Sequence, residues 1–443
     1  AHNHRALLAD PQGLGKTVQA LWALKENPHL LPAVVVCPAS LKYQWQAEAL
    51  QHIGMRSEVL EGTRPPKEGL GGSTAPLLII NYHSGVLKGW FHHLIKSKVK
   101  TMIYDECQNL RNRRSQQSKL SRQLSRRVDH VIALSGTPLV NRPSELWNIL
   151  NMIAPKKFAY FGPYAWKYCA PKLVHGKWDY SGACNLDQLH KRLKRTVMIR
   201  RSYEEVLPDL PPLSRHVVVL PLLGEELKEL HESEQELKQF AWALRGSISD
   251  KSRARALKHL TQTLVLTGKL KLPAVQAWID NYLEGDDDKL AVYGTHHAFI
   301  DSMQERYKNQ CVVIDGRTPK QVRHKAIGQF NEDARTRLFF GNLIAAGTGV
   351  NLKCPVLVLG ELGWVPGDHE QAERRIYGVG RGIPGKPSRV VYLVAKGTIE
   401  EKLCKVLQSK SQTVSAVLDG KKTGTGLNVL DLLVRELQKE KHR

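Results

Sequence analysis

Two stretches of this sequence have the makings of chemistry. The first is Gly13-Leu14-Gly15-Lys16-Thr17. Glycine-rich backbone can close its N–H groups around phosphate oxygens, and a helix that starts there adds its positive dipole end. Lys16 can reach β- and γ-phosphates, and the Thr17 hydroxyl can ligate Mg²⁺. Phosphate loops usually carry a glycine where Asp10 stands. The second stretch is Asp105-Glu106. An acid at a strand end can hold Mg²⁺, usually through water, and an adjacent glutamate can orient or deprotonate the attacking water.

Such groups need strands that end beside one another. Leu7, Leu8 and Ala9 lead into the loop, and Val18, Ala20, Leu21 and Leu24 follow at helical spacing. Ala33–Cys37, Leu77–Ile80, Thr101–Tyr104 and His130–Leu134 read as further strands. Ser40 is expected to cap a helix carrying Leu41, Trp45 and Leu50. Strands separated by helices imply a parallel, doubly wound sheet with ligands at the carboxyl ends of its strands. The glycine loop, Asp105-Glu106 and Ser135-Gly136-Thr137 all fall at such ends.

Residues 155–210 interrupt this rhythm with aromatics: Phe158, Tyr160, Phe161, Tyr164, Trp166, Tyr168, Trp178 and Tyr180. They suit either a nucleic-acid surface or a small satellite core. Lys191-Arg192-Leu193-Lys194-Arg195 and the pair Arg200-Arg201 are candidates for phosphate contacts. Residues 225–285 have a helical pattern, with Leu227, Leu230, Leu237, Phe240 and Leu244 on one face and Arg253, Arg255 and Lys258 opening a second helix. After a turn at Gly285–Asp288, strands at Leu290–Tyr293, Cys311–Ile314, Arg337–Phe340, Val356–Leu359 and Val390–Val394 imply a second doubly wound domain without a phosphate loop. Residues 427–440 read as an amphipathic helix. The expected organisation is a first lobe at 1–154, an aromatic and basic insertion with linker at 155–212, a helical insertion at 213–285, a second lobe at 286–425 and a C-terminal helix at 426–443.

Composition narrows the partners. Lys plus Arg number 65 against 42 Asp plus Glu, a net charge of +23, which points to a polyanion and most simply to nucleic acid. The seven cysteines never fall in a C-x-x-C pair, so neither a zinc site nor a disulfide framework is expected and a reducing, intracellular setting is. No apolar run approaches a membrane span, and no signal peptide is visible. The chain opens on Ala-His-Asn-His and meets the loop almost at once, which suggests an excised fragment.

Taken together, these stretches resemble the SNF2 (Swi2/Snf2) family of superfamily 2 DNA-dependent ATPases. Asp10-Pro-Gln-Gly-Leu-Gly-Lys-Thr17 is similar to the family's first motif, and Asp105-Glu-Cys-Gln108 with Asn109–Asn112 to its Walker B box. Leu134-Ser-Gly-Thr-Pro138, Asn141-Arg142-Pro143 and Glu145-Leu146-Trp147 resemble its third motif. Asp315-Gly316, Ala345–Leu352 and Gln371-Ala-Glu-Arg-Arg375 resemble those of the second lobe. Trp178–Leu186 and Arg200-Arg201 with Val206-Leu207 and Leu210-Pro211 look most like the annealing-helicase (HepA-related) branch.

The resemblance implies an α/β fold of two RecA-like, doubly wound parallel-sheet lobes with helical insertions, and a monomeric ATP-driven translocase on duplex or branched DNA that uses Mg²⁺. It implies that Gly13, Gly15, Lys16, Thr17 and Gln371 bind nucleotide, that Thr17 and Asp105 hold the metal, and that Glu106 with Arg375 serves hydrolysis. Ser135, Gly136 and Thr137 would couple nucleotide to DNA, and Gly347, Thr348, Gly349 and Asn351 would face nucleotide or DNA from the second lobe. Such a motor is nuclear in a eukaryote and cytoplasmic in a bacterium or phage host.

Several positions depart from the family. Pro11 and Gln12 stand where an acid and Met are usual, Gln108 replaces His, and Arg374 replaces Asp. Gly378 occupies the place of the second arginine of the sixth motif. Arg375 is expected on a helix that starts near Asp368, and Arg381, three residues beyond Gly378, is the candidate replacement where that helix shifts or ends early at the Gly378/Gly380 pair. Two other readings stay open: a degenerate DNA-binding module without turnover, and a strand-separating RNA or DNA helicase.

Overall fold

The computed structural model describes residues 5–65, 75–139, 142–174, 176–222, 228, 230–236, 250–345, 350–378 and 380–419, with the side chains at 250–257, 320 and 408–416 excepted. Its strands are β1 (Arg5–Leu8), β2 (Ala33–Cys37), β3 (Ser57–Val59), β4 (Leu77–Asn81), β5 (Thr101–Asp105), β6 (His130–Leu134), β7 (Lys172–Val174), β8 (Lys177–Asp179), β9 (Met198–Ile199), β10 (Leu213–Leu220), β11 (Leu290–Gly294), β12 (Cys311–Ile314), β13 (Leu338–Asn342), β14 (Val356–Leu359) and β15 (Ser388–Ala395). The chain divides into two units. The first is built from the chain up to Pro171, Tyr180–Pro208 and the stretch from Thr413; the second from Lys172–Asp179 and Asp209–Gln412.

In the first unit the described strands form a parallel sheet in the order β3-β4-β2-β5-β6-β1-β9. Its central strands are buried on both faces because their apolar residues alternate between two cores. Val34 and Val36 of β2 join Met102 and Tyr104 of β5 in one core. Ala33, Val35 and Cys37 join Ile103 in the other. Thus β5, β6 and β1 lie side by side, and their carboxyl ends carry the three stretches singled out above.

The second unit repeats the plan with a parallel sheet ordered β10-β15-β14-β11-β13-β12. Ala291, Tyr293, Leu357 and Leu359 face one core, while Leu290, Val292, Val356 and Val358 face the other. Strand β10 falls within the 213–285 stretch expected to be helical. Its outer face is mostly exposed, and it pairs along its whole length with β15.

Other expectations are corrected or resolved. Ser40 is not the N-cap: Ala39–Leu41 form a 3₁₀ turn, and the following helix, Lys42–Ile53, has Leu41 as its N-cap and no side-chain cap. Leu50 lies on that helix's solvent face, while Trp45 is buried. The aromatics of 155–210 divide. Phe158, Tyr164 and Tyr168 are buried in the first unit's core, and Tyr160, Trp166 and Trp178 are exposed. Arg192 lies over the Phe158 ring at 4.5 Å and donates to Lys157 O at 2.7 Å, so it braces this core. The helix at Asp250–Gly285 is present, and Leu230 is buried. Leu227, Leu237, Phe240, Leu244, Asn141, Gly347, Thr348, Gly349 and residues 427–440 lie outside the described residues. Among the described residues no helix is long and apolar enough to cross a membrane.

A candidate nucleotide site

The loop after β1 is shaped by two glycines in the left-handed region, Gly13 (φ 86) and Gly15 (φ 72), which only glycine adopts cheaply. Gly15 is also the N-cap of the helix Lys16–Glu26, whose first turn holds no acidic residue and receives no side-chain cap. Its leading N–H groups therefore suit an anion. Lys16 folds over the loop, with Nζ donating to Asp10 O at 2.8 Å and Pro11 O at 3.1 Å. Gly136, at the end of β6, packs tightly on the loop: a Cβ there would lie 2.7 Å from Gln12 Cγ.

Asp105 ends β5 and is buried. Trp45 Nε1 donates to its Oδ2 at 2.8 Å and the Glu106 N–H to its Oδ1 at 2.9 Å. Burial pushes its carboxyl up to about 7, helped by the charge of Glu106 and opposed by Trp45, Lys16 and the Glu106 N–H. A divalent cation at this point would restore the carboxylate form. Thr17, Asp105 and Glu106 supply hard oxygens, a donor set that suits Mg²⁺. Among the described residues no cluster of three or more His, Cys, Asp or Glu could hold a metal.

Glu106 has a left-handed backbone (φ 49), a strained conformation for this residue type. Its Oε2 accepts from Gln108 Nε2 at 2.6 Å. Gln108 Oε1 in turn accepts from Ser135 Oγ at 2.6 Å, and Ser135 Oγ accepts from the Thr137 N–H at 3.0 Å. One chain of bonds thus joins the end of β5 to the end of β6. The sequence marked its two ends and missed Gln108 as the middle link; the signal was its spacing of two from Glu106.

Arg200 and Arg201, expected at DNA phosphates, are given partners within the first unit instead. Arg200 Nη1 donates to Ala9 O at 2.5 Å, and the Arg201 guanidinium forms an ion pair with Asp10. Asp10 is wholly buried, so a cation beside it spares the interior an uncompensated charge.

In the second unit Gln371 lies on the helix Pro366–Glu373. That helix ends two residues before Arg375, so Arg375 and Gly378 share no helical face, contrary to the sequence expectation. Arg375 is buried, its N–H bonded to Ala372 O and its carbonyl accepting from Leu352 N at 2.9 Å. Arg381 Nη1 donates to Arg374 O at 2.6 Å, bracing the same turn. Asn351 is exposed. Glu373 anchors the helix: it accepts from Nε and Nη2 of Arg215 on β10 and from the Tyr392 hydroxyl on β15.

Compared with known proteins, the sequence is 30% identical over 431 residues to the DNA annealing helicase and endonuclease ZRANB3 of Bos taurus, covering 94% of this chain and 39% of that protein. It is 31% identical over 426 residues to the Caenorhabditis elegans homolog of SWI/SNF-related matrix-associated actin-dependent regulator of chromatin subfamily A-like protein 1, covering 93% of this chain and 59% of that protein. The chain therefore spans less than two thirds of the length of these relatives. Among solved structures, the Sulfolobus solfataricus SWI2/SNF2 ATPase core in complex with dsDNA covers 98% of this chain and is 92% covered itself, with TM-score 0.41 and 20% identity. The profile of the SNF2-related domain matches residues 1–270, more than half of the chain and all of the loop, Walker B and third-motif residues described above; the chain belongs to the SNF2 family.

Proposed function

We propose that this chain is an ATP-driven translocase on double-stranded DNA. The observation that carries the reading is the convergence of Lys16, Asp105, Glu106 and Ser135 at the ends of three adjacent strands, β1, β5 and β6. Family membership implies ATP and Mg²⁺ in general terms, and the residues fit them. The loop N–H groups, Lys16 and Thr17 bind the phosphates, and Glu106, oriented by Gln108, positions the attacking water. Bound Mg²⁺ supplies neutralisation of phosphate charge. Phosphoryl transfer depends on such positioning and charge stabilisation more than on covalent chemistry.

Lobes at 1–154 and 286–425 are the proposed halves of the motor. From the second come Gln371 for nucleotide, Arg375 and Arg381 for the charge on the transferring group, and Gly347, Thr348, Gly349 and Asn351 for nucleotide or DNA. DNA is held through its backbone by the excess of positive charge, so affinity falls steeply with salt and varies little with sequence. The protein acts as a monomer inside the cell, where the thiols of Cys107, Cys169 and Cys354 stay reduced.

The test is ATP hydrolysis against duplex DNA, branched DNA, single strands and RNA. Stimulation by duplex or branched DNA, with Lys16→Ala losing nucleotide binding and Glu106→Gln losing only turnover, supports the reading. Stimulation by RNA alone favours an RNA helicase, and no turnover on any nucleic acid favours a degenerate motor.

A further inference from the structure

The phosphate loop is held from behind by one short strap of chain. Strand β9 runs beside β1, with Leu7 N donating to Val197 O and Ala9 N to Ile199 O. The strap follows directly. Arg200 Nη1 donates to Ala9 O at 2.5 Å and to Gly136 O at 3.2 Å, so one guanidinium bridges the ends of β1 and β6. Its Nε donates to Asp419 Oδ1 at 2.5 Å. The Arg201 N–H donates to Asp10 Oδ1 at 2.8 Å, and its guanidinium reaches Asp10 Oδ2 and Gln19 Oε1. The Tyr203 hydroxyl donates to Gln12 O. A capping box between Ser202 and Glu205 fixes the turn that carries Tyr203.

Asp10 is the centre of this arrangement. Its side chain is wholly buried, and it stands at the loop position usually given to glycine. Gln19 Nε2 donates to its Oδ2 at 3.2 Å and to Leu14 O at 2.7 Å, tying it across the loop. Lys16 Nζ donates to the carbonyls of Asp10 and Pro11. Where Asp10 is fixed, the ammonium of Lys16 is fixed with it. Without a cation beside it, this buried carboxylate would oppose the entry of a polyanion.

We propose that Arg201 is a positioning residue for nucleotide: by neutralising Asp10 it holds the first residue of the phosphate loop, and through it Lys16, in the geometry that accepts a triphosphate. The inference rests on the ATP reading of the loop. The strap is also the last part of the first unit before the chain passes into the second at Asp209. A displacement of this segment would therefore reach the loop through Arg200, Arg201 and Tyr203, with the Arg201–Asp10 ion pair the one charged link to the loop's first residue.

The experiment measures affinity for fluorescently labelled ATP and ADP, and ATP hydrolysis with duplex DNA. The proteins are the unmutated chain, Lys16→Ala, Arg201→Ala, Arg201→Lys and the double variant Asp10→Asn/Arg201→Ala. Arg201→Ala is expected to weaken ATP at least tenfold and ADP less, because repulsion by Asp10 grows with phosphate charge. Arg201→Lys, which keeps the charge and loses the fork, should fall between. Asp10→Asn in the Arg201→Ala background should recover most of the loss. A strap with a merely structural role would lower thermal stability, leave the ATP-to-ADP ratio unchanged and show no rescue; that result overturns the proposal. If Arg201→Ala binds ATP normally while Lys16→Ala does not, the proposal is wrong and the ATP reading stands. If the unmutated chain binds no nucleotide, both fall.

Discussion

Gln108 steers Glu106: its Nε2 donates to Glu106 Oε2 at 2.6 Å while its Oε1 accepts from the buried Ser135 hydroxyl at 2.6 Å. An amide offers a donor and an acceptor at once and does not titrate, so the link is the same at every physiological pH. Replacing it with alanine removes this donor to Glu106 and strips Ser135 of an acceptor. Misplacing a catalytic group by an ångström can cost on the order of 10²-fold in rate. Gln108→Ala is therefore expected to lower DNA-stimulated hydrolysis by about that factor with ATP affinity unchanged. Gln108→His, which restores a donor and an acceptor, should recover most of it. Steady-state hydrolysis with a parallel nucleotide-binding titration checks this, and an unchanged rate in the alanine variant would sink it.

Much of this site was legible as spacing. Apolar runs of four or five residues ending in Asp105-Glu106 or Ser135-Gly136-Thr137 announce buried parallel strands and what sits at their ends. Short edge strands carry no such run, which is why β3 and β9 escaped notice; β10 escaped it although its second half, Val217–Leu220, is an apolar run, because the stretch reads as part of a helical insertion. The roles of Arg200 and Arg201 were hidden for a different reason. An arginine pair near other basic residues looks the same whether it meets DNA or a carboxylate, and its partner Asp10 lies 191 positions away in sequence. The helix of the sixth motif ends at Glu373, sooner than the Gly378/Gly380 pair suggests, because the turn after it is set by the bonds from Leu352 N to Arg375 O and from Arg381 N to Gly378 O.

The second unit contains a buried ion pair whose removal should be costly. Lys271 Nζ lies 2.6 and 2.7 Å from the two oxygens of Glu400 and 3.0 Å from Leu393 O. Lys271 is wholly buried and Glu400 almost so. Breaking such a pair from one side leaves a charge in the interior and costs about 3–5 kcal/mol. Lys271→Met should lower unfolding free energy by that amount. Lys271→Met/Glu400→Gln, which keeps an acceptor for the Ala395 N–H, should recover more than half. Denaturant unfolding measures both, and a loss below about 1 kcal/mol in the single variant would refute the account.

His369 gives the second unit an acid limit. It is buried, and its Nε2 accepts from the Gly363 N–H at 2.9 Å, which requires that nitrogen to be unprotonated. Burial pulls its titration down to about 4, against a partial opposing pull from Glu373. The folded pKa lies below the unfolded value of about 6.5, so the stabilisation is complete above about 6.5 and is lost as pH falls toward 4. Across that window the loss amounts to about 3 kcal/mol. His296 beside Glu361 is shifted the other way, so its contribution is present at low pH and fades as pH rises. His369→Gln keeps an acceptor for Gly363 and does not titrate. Its unfolding free energy should decline less than that of the unmutated chain between pH 6.5 and 4, and parallel curves would exclude the assignment.

Arg375 and Arg381 occupy one turn but hold different places in it. Arg375 is buried, with its backbone bonded on both sides, to Ala372 O and Leu352 N. Arg381 donates to the carbonyl of Arg374, the residue before Arg375. A finger that stabilises charge on a transferring phosphoryl group is worth roughly 10³–10⁵ in rate. Arg375→Ala is accordingly expected to abolish turnover, and Arg381→Ala to reduce it at least tenfold, both with ATP binding retained. Substitution by lysine separates two ways in which Arg381 could act. Lysine can still donate one bond to Arg374 O, so a bracing role survives Arg381→Lys with most of the rate intact. It cannot reproduce the planar fork that meets phosphate oxygens in pairs, so a phosphoryl-contacting role does not survive it. Single-turnover hydrolysis of all four variants, including Arg375→Lys, reads the difference directly. Full activity in Arg381→Ala beside a dead Arg375→Ala would leave the second position of the motif without any arginine at all, and turnover would then rest on Arg375 alone.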